Sequence, residues 1–284
     1  MHLSKTVTLI STSNQFDVLS VDNATAQARI SLYGGHILSF MPKSDQRERL
    51  WLSEKAVLNG SKAIRGGIPI CWPWFGDNTF SKATNGTLPA HGYVRNQTWH
   101  VISCEEIADT TKICLKPESA MGSGLTGTAD LLLSITIGHT LNVELTTTNI
   151  GTKAFTFGGA LHSYFAVTDI MQTQLTGLSG EYLDRPTNMS SKQTPVTYLF
   201  EQETDRVHLN PVENTQIVTP EFTFNVQSFG HDSLVVWNPW IDKSVALGDM
   251  SVDGYKTMVC VETAVTQGIT LTPNQQHKLL QVIA

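Results

Sequence analysis

The sequence lacks a long hydrophobic run. Nothing in it approaches the roughly 18 apolar residues of a membrane helix, so no membrane association is expected. It also lacks a basic run, and its 19 lysines and arginines are outnumbered by 25 acidic residues, for a net charge of −6. Without a surface that neutralises backbone phosphates, a nucleic-acid partner is not expected. Cysteine is scarce, four in 284 residues, and no two are spaced as CxxC. That argues against a disulfide framework; Cys71, Cys114 and Cys260 stand in apolar segments and read as small buried hydrophobes. Nine histidines are present, but none pair as HxH, HxxH or HExxH, so no metal site is expected. A GxSxG nucleophile elbow and a phosphate-cradling GxxxxGK[ST] loop are both missing. The first sixteen residues carry one lysine and no sustained apolar segment, unlike a secretory signal, and the cytoplasm is the expected compartment. On that expectation the Asn-x-Ser/Thr triplets are chance matches rather than glycosylation sites.

What is present is a core. Forty per cent of the residues are hydrophobic and 15% charged, the balance of a globular chain. No segment of about twelve residues shows a 3.6-residue period, whereas short strand-like runs recur throughout. In LNVELTTTN, Leu141, Val143 and Leu145 fall on one face while Asn142, Glu144 and Thr146 fall on the other, which predicts a strand with one buried face. Runs such as ARISL, WHVISC, KICLK, LVVW and KTMVCVE continue the series between Gly, Asn, Asp and Pro turns. The expectation is an all-β fold, a large antiparallel β-sandwich of roughly fifteen or more strands with few short helices. No internal repeat or linker divides it, so residues 1–284 are expected to form one domain, and no surface suggests an obligate partner, so a monomer is expected.

One stretch fits neither period. Residues 65–95 gather Arg65, Gly66, Gly67, Pro69, Trp72, Pro73, Trp74, Gly76, Pro89, His91, Gly92 and Arg95. Glycine lets backbone approach a ligand, proline stiffens a loop, and arginine offers a fixed fork to an anion. The stretch reads as the wall of a binding site rather than as core. Two further positions stand out. His162 lies in the apolar, aromatic run FGGALHSYFAV, and Glu262 follows Met258-Val259-Cys260-Val261. An acid there serves a site, is paired, or faces water at a strand end; His162 is a proton-transfer group or a satisfied core histidine.

These pieces together resemble a known family. AIRGGIPICWPWFG, LPAHGYVRNQTW, GALHSYFAVTDI, ETDRVHLNP, VVWNPW and DGYKTMVCVETA occur in the order found in the aldose 1-epimerase, or galactose mutarotase-like, superfamily. Within it the chain is similar to the glucose-6-phosphate 1-epimerase group. The resemblance implies a galactose mutarotase-like supersandwich that interconverts the α and β anomers of a hexose 6-phosphate without cofactor or metal. It implies Glu262 as base and His162 as acid, the imidazole shifted modestly upward to stay protonated. Asp205 and His91 would contact the sugar, and Arg65 and Arg95 the phosphate. Trp72, Trp74 and Trp237 could stack on a sugar face or pack in the core. Asp205 could otherwise pair with Arg206, and one arginine with a carboxylate such as Asp77. An epimerase of free aldoses and a non-catalytic sugar-phosphate binder are the alternatives. Two features depart from the family: His208 stands where an aromatic is usual, and the Gly/Ser-rich loop Glu118–Gly127 leaves one edge of the pocket open to question.

Overall fold

Alternating burial is the local rule from which the sheets are built. Along Ala129–Ile137 buried and half-buried residues alternate at every position, and Leu141–Asn149 buries Leu141, Val143 and Leu145 while Asn142 and Glu144 are half-buried. The two pair antiparallel along their whole length, from Ala129 opposite Asn149 to Ile137 opposite Leu141. A computed structural model describes residues 2–11, 16–79 and 88–284; part of the 65–95 stretch, residues 80–87, lies outside the described residues.

The described strands form three sheets, and every pairing between strands is antiparallel. A small sheet joins Val7–Ile10, Val18–Asp22, Ala26–Ser31 and His36–Pro42 in chain order. One eight-stranded sheet runs from Gln174–Thr176 through Asn214–Val218, Thr223–Phe229, Gln276–Ile283, Leu141–Asn149, Ala129–Ile137 and Thr110–Pro117 to Trp99–Ile107. The other has the order Ser190–Gln193, Glu181–Asp184, Thr204–His208, Ser233–Asn238, Met258–Leu271, Phe155–Leu161, Ile70–Cys71, with Tyr164–Ala166 also paired to Met258–Leu271. One apolar cluster includes residues of all three sheets, from Val7 and Phe40 to Leu133 and Val261. A single α-helix of seven residues, Trp240–Ala246, and four 3-10 turns complete the described secondary structure. The all-β antiparallel expectation is met.

The strand Met258–Leu271 is the axis of its sheet. Its first eight residues are all buried, as expected of a strand covered on both faces. Its neighbour Ser233–Asn238 buries all but Trp237. Any polar group here is therefore removed from water, which sets the electrostatics of what lies on this sheet.

The 65–95 stretch needs correction. Ile68, Ile70, Cys71, Trp72, Trp74 and Val94 are core residues, so it is a wall on one side and packing on the other. Trp72 and Trp74 are 0% and 1% exposed, with their indole N–H groups donated to Thr147 Oγ1 (3.1 Å) and the Pro89 carbonyl (2.9 Å). They cannot stack on a sugar. Among the cysteines, Cys71 and Cys260 are buried as expected, while Cys114 is only partly buried and Cys104 is buried in its place.

Gly92 fixes the course of this wall. Its backbone bridges to Trp72 at φ +73°, and a Cβ there would lie 1.9 Å from the Trp72 carbonyl oxygen. The preceding His91 is also left-handed, φ 64°, a conformation uncommon for a side chain with a Cβ. It is held by its own N–H to the Gly76 carbonyl (2.7 Å) and by the Gly76 N–H donated to its Nδ1 (3.2 Å). Gly92→Ala is expected to destabilise the fold by more than ~1 kcal/mol, since it brings both a clash and a forbidden φ. Thermal unfolding should show a midpoint lowered by about 2–4 °C for each kcal/mol lost.

Candidate active site

Three strands and the residue that follows a fourth bring their side chains together. Asp205 on Thr204–His208 lies opposite Trp237, which in turn lies opposite Cys260; one row along, Val235 faces Glu262. Residues two apart on a strand share a face, so Cys260 and Glu262 point the same way as Trp237 and Val235. His162 directly follows the strand Phe155–Leu161 and is tied down by its N–H to the Pro69 carbonyl (3.1 Å). Its ring stacks on Tyr164 at 4.8 Å and 6°, and meets Phe75, Trp237 and His91 at 5.9, 6.2 and 5.6 Å. Aromatic neighbours on several sides leave the imidazole little freedom.

Two adjoining cavities open here. The inner one, about 160 Å³, is bounded by Glu262, His162, Asp205, Arg185, Phe75 and Trp237. The outer one, about 650 Å³, carries Lys62, Arg95 and Asp249. Arg65, His91 and His162 line both. Three buried polar atoms at the inner cavity have no hydrogen-bond partner among the described residues: Glu262 Oε2, His162 Nδ1 and Asp205 Oδ1. His162 Nδ1 is 3.3 Å from Glu262 Oε1, and Arg185 Nη1 is 3.5 Å from Asp205 Oδ1, within ion-pair range but not aligned as hydrogen bonds. Orphaned polar atoms are rare in protein interiors, and three around one small cavity mark a site built for a polar ligand.

Burial governs the charges. Glu262 is 1% exposed, and desolvation, reinforced by Asp205 and opposed by Arg185, pushes its pKa well above the carboxylate range. Burial drives His162 well below 6.5, helped by His91, Arg95 and Arg65. The modest upward shift expected of His162 is thus reversed: burial favours the neutral form of both members of the pair. Burial raises Asp205, only partly offset by Arg185, and burial followed by the arginines takes His91 down to about 3. Burial works against the Arg65 charge, but Tyr164 and Asp249 outweigh it and keep the guanidinium protonated.

His162, Glu262, Arg65, His91, Arg95 and Asp205 all line one or both cavities, though not always with the partner expected. Asp205 pairs with Arg185, not Arg206, whose guanidinium lies over Tyr182 and Tyr198. Arg65 pairs with Asp249 (3.2 Å), not Asp77, and donates to the Tyr164 hydroxyl (3.1 Å). Among the described residues Arg95 donates to the Ala90 carbonyl (3.0 Å), and its buried Nε has no partner. Of the three tryptophans only Trp237 lines the inner cavity. Glu262 is not at a strand end but five residues into a strand of fourteen. The Glu118–Gly127 loop lines neither cavity; through Ser119 and Ala120 it braces Gln97 and Tyr93, on the segment that carries His91 and Arg95. Arg185, Tyr164 and Asp249 also line the cavities, without a place in the sequence expectation. Tyr164 had a signal, two residues from His162 in the same run, whereas Asp249 is joined to Arg65 only by the fold. Among the described residues one trio of metal-binding types lies together, His162, Cys260 and Glu262, within 4.8 Å. Burial, reinforced by Glu262, pushes the Cys260 thiol well above its ordinary value.

The aldose 1-epimerase family model matches residues 17–284. The chain belongs to the aldose 1-epimerase family. It is therefore an epimerase that interconverts sugar anomers. An Escherichia coli protein named "Putative glucose-6-phosphate 1-epimerase" is 35% identical over 88% of this epimerase and 84% of its own length. A protein of the same name from Cenchrus ciliaris is 34% identical over 88% of this chain and 79% of its own. The crystal structure of a "putative mutarotase" from Salmonella typhimurium superposes with a TM-score of 0.89 at 32% identity, covering 100% of this chain and 94% of that one.

The ionisation of the epimerase's buried pair has a consequence for stability. Unfolded, the two groups titrate at 4.5 and 6.5. The lowered His162 makes stability rise with pH up to 6.5, and the raised Glu262 makes it fall with pH above 4.5 until the folded carboxyl ionises. The two oppose each other between 4.5 and 6.5, and any fall that continues above 6.5 belongs to Glu262 alone. Glu262→Gln should remove that fall. Its melting temperature should exceed the parent's by an amount that grows from pH 6.5 to pH 9, as read by thermal scans across pH.

Proposed function

We propose that this epimerase acts on hexose 6-phosphates, D-glucose 6-phosphate first among them. The observation that carries the proposal is the joint arrangement of the cavities: three orphaned polar atoms around the inner one, and three cationic side chains against one carboxylate in the outer one. A sugar ring in the inner cavity would satisfy Glu262, His162 and Asp205. A phosphate in the outer cavity would meet Arg95, with its unpartnered Nε, together with Arg65 and Lys62. On a chain of net charge −6, such a local excess of positive charge suits a dianion. The names of the relatives at 34–35% identity support the same substrate.

In this assignment the Glu262 carboxylate removes the proton of the C1 hydroxyl while the His162 imidazolium protonates the ring oxygen. The ring opens to the aldehyde, the C1–C2 bond rotates, and the C5 hydroxyl adds to the other face with both transfers reversed. The proton count closes at each turn. Asp205 accepts hydrogen bonds from sugar hydroxyls, and His91, held neutral, contacts the ring from the wall. Positioned acid–base groups contribute roughly 10²–10⁴-fold each. One observation favours free aldoses instead: Arg65 is already engaged by Asp249 and Tyr164, so one of the two expected phosphate forks is partly occupied.

Exchange spectroscopy on glucose 6-phosphate and on glucose separates the two. The phosphorylated sugar should exchange faster at equal concentration, and Arg95→Ala should raise its KM by roughly 10–100-fold, as ~1.5–3 kcal/mol of charge-assisted hydrogen bonding implies. The change for glucose should be much smaller. Equal acceleration of both sugars by the parent protein would favour the free aldose.

A further inference from the structure

Tyr164 touches both halves of the site. Its ring lies face to face on the His162 imidazole, 4.8 Å away and 6° from parallel, and Trp51 stacks on it at 6.0 Å and 19°. Its hydroxyl accepts a hydrogen bond from Arg65 Nη1 at 3.1 Å, and Asp249 holds the same guanidinium at 3.2 Å. The side chain is 2% exposed. One rigid ring therefore links the arginine of the outer cavity to the imidazole of the inner one. Beside it, His162 Nδ1 and Glu262 Oε1 stand 3.3 Å apart, close enough for a proton to pass once the groups align.

We propose that the substrate's phosphate dianion arms this pair: settling against Arg65 and Arg95, it draws the proton from the Glu262 carboxyl onto the His162 imidazole, while Tyr164 holds that imidazole in register with Arg65. The proposal rests on the hexose-phosphate reading of the outer cavity. One proton moves, none is taken from solvent, and a carboxylic acid with a neutral imidazole becomes a carboxylate with an imidazolium. The base and the acid of the reaction thus arise in the same step.

The surrounding charges fit. His162 is faced by His91 and Arg95 from the wall segment, by Arg65 from the loop before Pro69, and by Cys260 and Glu262 from the central strand. Asp205 and Arg185 act on Glu262 from the far side. With His91 and Cys260 neutral, the fixed charges opposing an imidazolium are the two arginines, and Asp249 offsets only one. A dianion on the arginines reverses the sign of the field at His162. Phosphate binding would then raise kcat as well as lower KM, the use of remote binding energy that accelerates chemistry.

Inorganic sulfate is the probe, because it is a dianion too weakly basic to catalyse mutarotation unaided. Anomer exchange of free glucose should accelerate saturably with sulfate, within the roughly 5–150-fold range of couplings between two sites. The nitrogen-15 resonances of His162 in the parent protein should move toward imidazolium over the same titration. At saturating sulfate, Tyr164→Phe should show a smaller acceleration. If calorimetry shows sulfate bound while exchange and the imidazole resonances stay unchanged, the arming step is wrong and the phosphate site survives. If sulfate does not bind, both fall. Full acceleration in Tyr164→Phe would remove Tyr164 from the mechanism.

Discussion

The structure depends on a carboxyl and an imidazole held together where water does not reach. Glu262 sits mid-strand in the best-covered strand of its sheet, 1% exposed, with His162 Nδ1 at 3.3 Å. Neither group could stand there charged and alone, since an unpaired buried ion costs several kcal/mol. Burial raises the Glu262 pKa and lowers that of His162, so each is pushed toward its neutral form. That makes the pair costly to ionise and, for the same reason, responsive to whatever enters the cavity.

The surroundings serve this pair. The strand order of the sheet places Asp205, Trp237, Cys260, Val235 and Glu262 on one face, and aromatic side chains fix the imidazole plane. The wall built from residues 65–79 and 88–95 then closes the second side. Its left-handed His91 and Gly92 are a local departure from relaxed backbone, placed where the ligand is expected. Lys62 and Arg95 line only the outer cavity and Arg65 lines both, whereas Glu262 lies on the inner one near Asp205 and its partner Arg185, so one ligand can meet a cationic end and a proton-transfer end. This division follows burial: the Arg65 side chain is 23% exposed and that of Glu262 1%.

Much of this was legible in the sequence. Period-two patterns such as LNVELTTTN specify strands because a sheet with one buried face demands them, and the ordered motifs identify the family. His162 and Glu262 were visible as polar residues in apolar runs. What could not be read was pairing across the chain. That Asp249 holds Arg65, that Arg185 rather than Arg206 faces Asp205, and that Trp72 and Trp74 turn inward all depend on strand register and on which way a loop folds back. The direction of the His162 shift is not legible in the sequence for a related reason: burial is a property of the whole sheet, and Glu262, at the end of an apolar run, stands inside a strand of fourteen residues.

The central claim is that Glu262 and His162 are the proton-transfer pair of an anomer exchange. The direct measurement is exchange spectroscopy of glucose 6-phosphate with the Glu262→Gln protein, which keeps the shape of the side chain and removes its basicity. The account predicts loss of roughly 10²–10⁴-fold in exchange rate from a protein that remains folded. Exchange at the parent rate would contradict it.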